Sequence, residues 1–266
     1  MLRIAIPDSS LSEQASLLKK SLKLGSIARA CGIFCVDRIY IYRDEGGKHR
    51  ADGEFAKLFL EYLETPQYLR KRLFGMDERL KYVGLIPPLK LPHHKPKVPI
   101  EGLALGELRE GVVIRSGRES LVDVGLEQPV LVRRRLEEGK RVTVRIEGKE
   151  PLFGSLAKPT GYWGYRVKLV GTLPKLLSSL GGGVVITSRK GRDVRSVMER
   201  LRNLGTVTLV FGSPRRGVGE ILQDYGRRPE EFTEFVLNTF PGQCVETVRL
   251  EEAIMGSLAI FNLVKA

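Results

Sequence analysis

The sequence predicts an α/β fold: a parallel sheet covered by helices, interrupted in mid-chain by a small all-β barrel. Three observations carry this. Strand-like and helix-like segments alternate over residues 1–90 and again over 171–266. Between these flanks the apolar period falls to two, in short runs separated by glycines. Neither flank alone has enough strands to bury both faces of a sheet. The chain is therefore read as one domain, 1–90 plus 171–266, around an insert at 91–170. Three sequential domains are the alternative.

The elements follow in order. Residues 3–6 are a short apolar strand closed by Pro7. Ser10 and Glu13 have capping-box spacing, and Leu11, Ala15, Leu18 and Leu22 then keep one helical face until Gly25 interrupts it. Residues 36–42, rich in β-branched and aromatic side chains, are a strand. Phe55, Leu58 and Tyr62 mark an amphipathic helix that breaks near Pro66. From Pro87 to Pro99 prolines, lysines and the pair His93-His94 read as an exposed linker, with the histidines solvated.

In the insert, residues 112–115, 120–124, 130–133 and 142–146 alternate, with turns at Gly117, Gly125, Gly139 and Gly148. Residues 162–170 are expected as a fifth strand, completing a barrel of the OB kind. Beyond it, Gly181-Gly182-Gly183 leads into a strand at 184–187. Val194, Val197, Met198, Leu201 and Leu204 mark a helix, and 207–211 is a continuous apolar strand of the buried parallel type. A short helix at 217–224, a strand at 235–237 and a last helix at 248–263 follow. Glu251 and Glu252 lie in that helix's first turn, where the dipole favours carboxylates.

The net charge is +13, spread as +5 over 1–90, +5 over 91–170 and +3 over 171–266. Such a balance favours polyanions, with nucleic acid the first expectation. No apolar run reaches the length of a membrane span, and the start lacks the pattern of a signal peptide. Cys31, Cys35 and Cys244 form neither a disulfide framework nor a zinc cluster. That count fits a reducing cytoplasm, and no metal is expected.

Two Gly-bearing turns follow apolar strands near the C-terminus. Val210-Phe211-Gly212-Ser213-Pro214-Arg215-Arg216-Gly217 has the outer glycine spacing of a phosphate loop. However, Val218 and Gly219 stand where Lys and Ser/Thr would hold phosphate and magnesium. The dinucleotide fingerprint fails at Leu222, so neither nucleotide class is supported. What remains is a tight turn whose amides face the carboxyl edge of a sheet, where ligands of open α/β sheets bind. Asn238-Thr239-Phe240-Pro241-Gly242 is a second such turn. The pair can enclose a flat heterocycle with main-chain donors and acceptors.

Near the N-terminus stands Gly25-Ser26-Ile27-Ala28-Arg29-Ala30, followed by the apolar run to Tyr42. In this order the three motifs resemble those of the SPOUT superfamily of RNA methyltransferases. The stretch Glu246-Thr247-Val248-Arg249-Leu250-Glu251-Glu252-Ala253-Ile254, with the β insert, is most similar to an archaeal–eukaryotic branch of that superfamily. The resemblance covers both flanks. It implies a knotted parallel-sheet domain, a trefoil knot near the C-terminus, and a homodimer whose active site is completed across the interface. It implies S-adenosyl-L-methionine as donor, held mainly by main chain. Carried over, the adenine-side contacts fall on Leu237, Asn238, Thr239, Phe240, Gly242, Val245 and Thr247. Gly212 lies under the ribose and methionine side, and Thr187 and Lys190 line the preceding strand end.

Arg29 matches an arginine that assists the target nucleophile or contacts phosphate in some branches, and Arg249 is a second catalytic candidate. Lys23 and Leu24 replace the Asn that opens the first motif in ribose-methylating members. Pro214 replaces an acidic residue, and the Asn-Ser pair of the last motif is missing around 248–250. A base nitrogen therefore stands beside the ribose 2′-oxygen as target. In the insert, Arg115, Arg133, Arg134 and Arg135 are basic, and Tyr162, Trp163 and Tyr165 offer stacking faces. Charge plus aromatics is how OB-folds hold single-stranded nucleic acid. The reading is a cytoplasmic, homodimeric enzyme acting on rRNA or tRNA. A non-catalytic RNA-binding or ribosome-assembly factor of the same fold is the alternative.

Overall fold

The computed structural model describes residues 1–265. In chain order the elements are β1 (Leu2–Pro7), α1 (Leu17–Ile33), β2 (Val36–Arg43), α2 (Arg50–Glu64), α3 (Gln67–Phe74), β3 (Leu108–Arg115), β4 (Ser120–Asp123), β5 (Val130–Val132), β6 (Arg141–Lys149), β7 (Leu152–Leu156), β8 (Arg166–Thr172), α4 (Leu173–Ser179), β9 (Gly183–Asp193), α5 (Met198–Arg202), β10 (Val207–Val210), α6 (Val218–Gln223), β11 (Val236–Asn238) and α7 (Leu250–Lys265). They divide into two units.

The first unit comprises 1–63, 79–89 and the chain from 165 onward. Its sheet has six strands in the order β11-β9-β10-β1-β2-β8, every pair parallel. The central strands β1 and β10 are buried on both sides because both faces are covered there. Ala5, Tyr40, Tyr42, Val184, Ile186 and Val210 pack with Leu173, Leu176 and Leu177 of α4 and Val218, Ile221 and Leu222 of α6. The alternate residues Ile4, Ile6, Ile39, Ile41, Val185 and Leu209 are also buried, and point the opposite way by the strand period. Helices α1 and α7 pack against each other.

Three expectations need correction in this unit. Ser10 does not cap a helix. Residues Asp8–Leu11 form a single 3-10 turn, buried throughout, and Ser9 Oγ donates to the Asp44 carboxylate at 2.6 Å. The cap of α1 is Ser16, whose Oγ accepts the Lys19 amide at 3.3 Å. Glu13 instead pairs with the buried Lys23. Gly25 does not interrupt the helix, which runs through it to Ile33. A Cβ there would lie 2.9 Å from Ile86 Cγ2, so the glycine serves close packing. Finally, residues 166–172 are not a barrel strand. They form β8, whose Arg166 pairs with Arg38 of β2. Gly161 and Gly164, at φ +93° and +90°, break the run before Tyr165, which is buried and donates its hydroxyl to Leu60 O at 3.0 Å. Tyr165 therefore offers no stacking face.

The second unit comprises 64–78 and 90–164. Its five strands close into a barrel, β3-β4-β5-β7-β6, antiparallel except for β5 with β7. The arrangement fits an OB-fold. The fifth strand is β7, masked in the sequence by Gly148 and Gly154. A Cβ on Gly148 would meet the Phe153 ring at 2.1 Å, and one on Gly154 would meet Arg145 O at 2.3 Å. Val113, Val122, Val124, Val130, Val132, Val144 and Ile146 fill the interior.

The linker histidines are not solvated. His93 is fully buried, and both imidazoles donate Nε2–H to Glu64 O, at 2.8 and 2.7 Å. The Glu64 carboxylate accepts Arg141 Nη1 at 2.6 Å and Nη2 at 3.1 Å. Arg141 Nε reaches Glu110 Oε2 at 2.8 Å, and Glu110 Oε1 takes the Trp163 indole N–H at 2.7 Å. Buried charges in this unit thus satisfy one another, as burial requires. His93 and Arg141 hold the Glu64 carboxyl below its ordinary range despite burial, and burial brings His94 down to about 4.

Candidate active site

The connections β1–α1–β2 and β10–α6 place the turn after β10, the turn after β11 and residues 8–11 at the carboxyl edge of the first unit's sheet. The turn after β10 closes on itself. Ser213 N–H donates to Arg216 O at 2.8 Å, and Arg216 N–H donates to Ser213 Oγ at 3.0 Å. Gly212 is required, because a Cβ would stand 2.5 Å from Arg216 O.

Neighbouring strands grip this turn from both flanks. Thr187 Oγ1 donates to Val210 O at 2.9 Å from the β9 side. Tyr42 O–H donates to Phe211 O at 2.6 Å from the β2 side. Just beyond the end of β2, Asp44 accepts Arg216 Nη1 at 3.5 Å. Arg216 is held further by Asp224 at 2.7 Å. Burial, with Asp44 and Asp8 nearby, keeps the Tyr42 hydroxyl far above its ordinary pKa, so it remains a donor. Asp8 is also raised, by burial and by the Asp44 charge. Sequence reasoning missed this grip, although Tyr42 and Asp44 at i and i+2 of a strand end are its signal.

The turn after β11 is fixed by its own side chains. Asn238 Nδ2 donates to Arg189 O at 3.1 Å, and its Oδ1 accepts Phe240 N–H at 2.9 Å. Thr239 Oγ1 bonds Ser257 Oγ of α7 at 2.8 Å, Leu237 is fully buried, and Phe240 lies against Gly256. Of the carried-over donor contacts, then, Leu237, Asn238, Thr239 and Phe240 commit their side chains to the fold and offer main chain. Gly242, Val245 and Thr247 are exposed. Gly242 has φ +86°, and a Cβ there would meet nothing within 4 Å. None of the amides of Gly242, Val245 or Thr247 donates to another described residue. An open glycine beside free main-chain donors fits a flat heterocycle such as adenine.

Between the two turns β9 bulges. Ile186 pairs with Val236 and Arg192 with Leu237, so residues 187–191 are accommodated between consecutive partners. Gly191 permits this, since a Cβ would lie 2.7 Å from the Leu237 main chain. Lys190 is exposed on the bulge, and its amide donates to Ser188 Oγ at 3.2 Å. Arg249 is exposed just before α7, its amide donating to Glu252 Oε2 at 2.9 Å. Arg29 stands elsewhere. It lies near the carboxyl end of α1, the end that leads to the start of β2, and its Nη1 reaches Pro88 O at 3.5 Å.

In the second unit, Arg115, Arg133, Arg134 and Arg135 are all exposed. The pairing of Ser120 with Val132 brings the turn after β3 beside the end of β5, and Ser120 Oγ donates to Arg134 O at 2.8 Å. The four arginines therefore share one end of the barrel. Arg133 also stacks over the Phe153 ring, 5.6 Å from its centroid. Tyr162 is half-buried. No helix among the described residues is long and apolar enough to cross a membrane.

Comparison with known proteins adds to this geometry. The family described as "Putative RNA methyltransferase" matches residues 1–261. The human 28S rRNA (uridine-N(3))-methyltransferase is 33% identical, over 97% of this chain and 77% of its own. The Drosophila melanogaster protein of the same description is 32% identical, over 97% of this chain and 61% of its own. An uncharacterized protein of Halobacterium salinarum is 31% identical over 98% of both chains.

Proposed function

The chain belongs to this RNA methyltransferase family and is a methyl-transferring enzyme, and from that premise we propose that it methylates N3 of a uridine in ribosomal RNA, using S-adenosyl-L-methionine. The observation that carries the donor assignment is the pair of turns at one sheet edge, with Gly212 closed against its own turn and Gly242 open. When bound, the donor supplies a methyl group activated on a sulfonium. Gly242, Val245 and Thr247 would hold its adenine side through main chain, and the turn at Gly212, braced by Tyr42, Asp44 and Thr187, would support the rest.

N3 of uridine is a weakly acidic imide. On losing its proton to water, N3 would have the electron pair to accept the methyl group that the bound donor would supply, with a neutral thioether as the second product. Cations at this edge favour the developing N3 anion. The relatives' printed target supports a base nitrogen over a ribose oxygen. The arginine end of the barrel is the RNA-holding surface of the second unit.

A homodimer and a knotted C-terminal segment belong to the same reading. For the knot, the support is that the chain passes from β10 across β9 to β11, and that α7 then returns onto α1. Transfer of labelled methyl groups to ribosomal RNA, followed by nucleoside analysis, tests the proposal. The expected product is 3-methyluridine. A 2′-O-methylated nucleoside would overturn the base assignment, and absence of label with donor bound would overturn the RNA class.

A further inference from the structure

We propose that Lys190, Arg215 and Arg249, flanked by Arg189 and Arg192, clamp the phosphodiester backbone of the RNA on either side of the target nucleotide. This rests on the donor site proposed above and assigns the surface beside it. All five are exposed. None of them is in an ion pair among the described residues, whereas Arg3, Arg72, Arg109, Arg141, Arg195, Arg200, Arg216 and Arg227 each are.

Topology gathers them. Arg189 and Lys190 ride the 187–191 bulge, Arg192 resumes the pairing with β11, Arg215 sits in the turn after β10, and Arg249 precedes α7. Two of the nearby carboxylates are already engaged. Glu252 accepts the Arg249 amide at 2.9 Å, and Glu251 lies 3.5 Å from Lys23 Nζ.

The bulge is braced. Arg189 O accepts Asn238 Nδ2, and Arg189 Nη1 donates to Glu246 O at 2.8 Å. A braced loop with uncompensated like charge pays repulsion in the free protein, which a polyanion relieves. Guanidinium forks suit phosphate oxygens, and a pinned bulge loses little entropy on binding. The clamp lies beside the open glycine of the donor turn, so phosphates held there would present the intervening base to the methyl group.

The test uses the full chain carrying Arg192→Gln, Arg215→Gln and Arg249→Gln together. Its probes are a single-stranded uridine-containing oligoribonucleotide and S-adenosylhomocysteine. RNA affinity at low salt should fall about tenfold or more. The slope of log affinity against log salt should flatten by about 2, near 0.7 for each lost phosphate contact on a single strand. S-adenosylhomocysteine affinity should stay within about twofold, which also shows that the variant is folded. An unchanged salt slope would overturn the clamp. A weakened S-adenosylhomocysteine affinity with an unchanged slope would assign the cations to the donor's carboxylate instead. Failure of the wild type to bind S-adenosylhomocysteine would overturn the donor site, and the salt slope would still decide the phosphate surface.

Discussion

Replacing Gly242 by alanine separates backbone strain from ligand space. The residue sits at φ +86°, where a side chain costs about 1–2 kcal/mol. Nothing stands within 4 Å of the added Cβ, so no clash contributes. Gly226 is a matched control in the same unit, with φ +64° and equally open surroundings. It follows α6, which leads away from the carboxyl edge. Both variants should lose similar stability, a few degrees of melting temperature at about 2–4 °C per kcal/mol for a chain of this size. They should differ in ligand response. The Gly242 methyl projects into the space assigned to adenine, and Kd for S-adenosylhomocysteine should rise at least about tenfold. At a ligand concentration of about 100 times the wild-type Kd, ligand stabilisation should drop from about 2.7 to about 1.4 kcal/mol. Gly226→Ala should retain the full ligand effect. Calorimetry well below the melting temperature, with thermal denaturation in parallel, reads both quantities. Equal affinities in the two variants would refute the placement of the donor at Gly242.

Further outcomes follow from the same geometry. Tyr42→Phe leaves Phe211 O without its buried donor, so stability should fall by about 1–3 kcal/mol and S-adenosylhomocysteine should bind more weakly; urea denaturation showing no loss would mean that the turn does not depend on this bond. Changing Arg133, Arg134 and Arg135 together to glutamine should weaken RNA binding and flatten its salt slope by about 2, leaving thermal stability and donor binding intact; an unchanged slope would move the RNA surface off the barrel end. His94 is brought down to about 4 by burial, so it stays neutral where the unfolded chain binds a proton, and stability should decline as pH falls from about 6.5 toward 4. The depressed Glu64 adds stability above its ordinary range that is lost below it, steepening the same decline. In His94→Gln, melting temperatures between pH 7 and 4 should fall less steeply, and an identical slope would show that His94 does not drive it.

The α/β frame was legible because buried parallel strands leave long apolar runs, as at 36–42 and 207–210. The barrel's first four strands were legible because glycine turns punctuate an alternating pattern. What failed had local causes with distant partners. Ser10 and Glu13 have perfect capping spacing, yet Glu13 is drawn forward to Lys23 and Ser9 to Asp44, a partner on the far side of α1 and β2 that no local window contains. Gly25 reads as a breaker until Ile86 is known to press against it. β7 is short and carries Gly154, which lowers its strand signal, while the aromatics of 162–170 raise theirs and that segment belongs to a turn and the other unit's sheet. His93-His94 sits among prolines, and only the fold reveals Glu64 beneath them. At the site, the turns at Gly212 and Gly242 were visible as motifs. The commitment of Asn238 and Thr239 to structural bonds was not, because Arg189 and Ser257 lie far from them in sequence.

The position of Arg29 changes how the chemistry is apportioned on the proposed reading. Helix α1 runs from the carboxyl edge of the sheet toward the start of β2, and Arg29 lies near its end. Within one chain it stands at the opposite edge from Gly212 and Gly242. It can reach a target base only if a second copy brings it there, as a dimer with a shared site requires. The exposed groups at the donor edge include three cations, Lys190, Arg215 and Arg249, without carboxylate partners among the described residues. Methylating an imide nitrogen calls mainly for loss of its proton, and a positive field lowers the free energy of the resulting anion. The same charges that hold phosphate can therefore ease ionisation of the base between those phosphates. A ribose hydroxyl, far less acidic, would gain too little from such a field without a dedicated base.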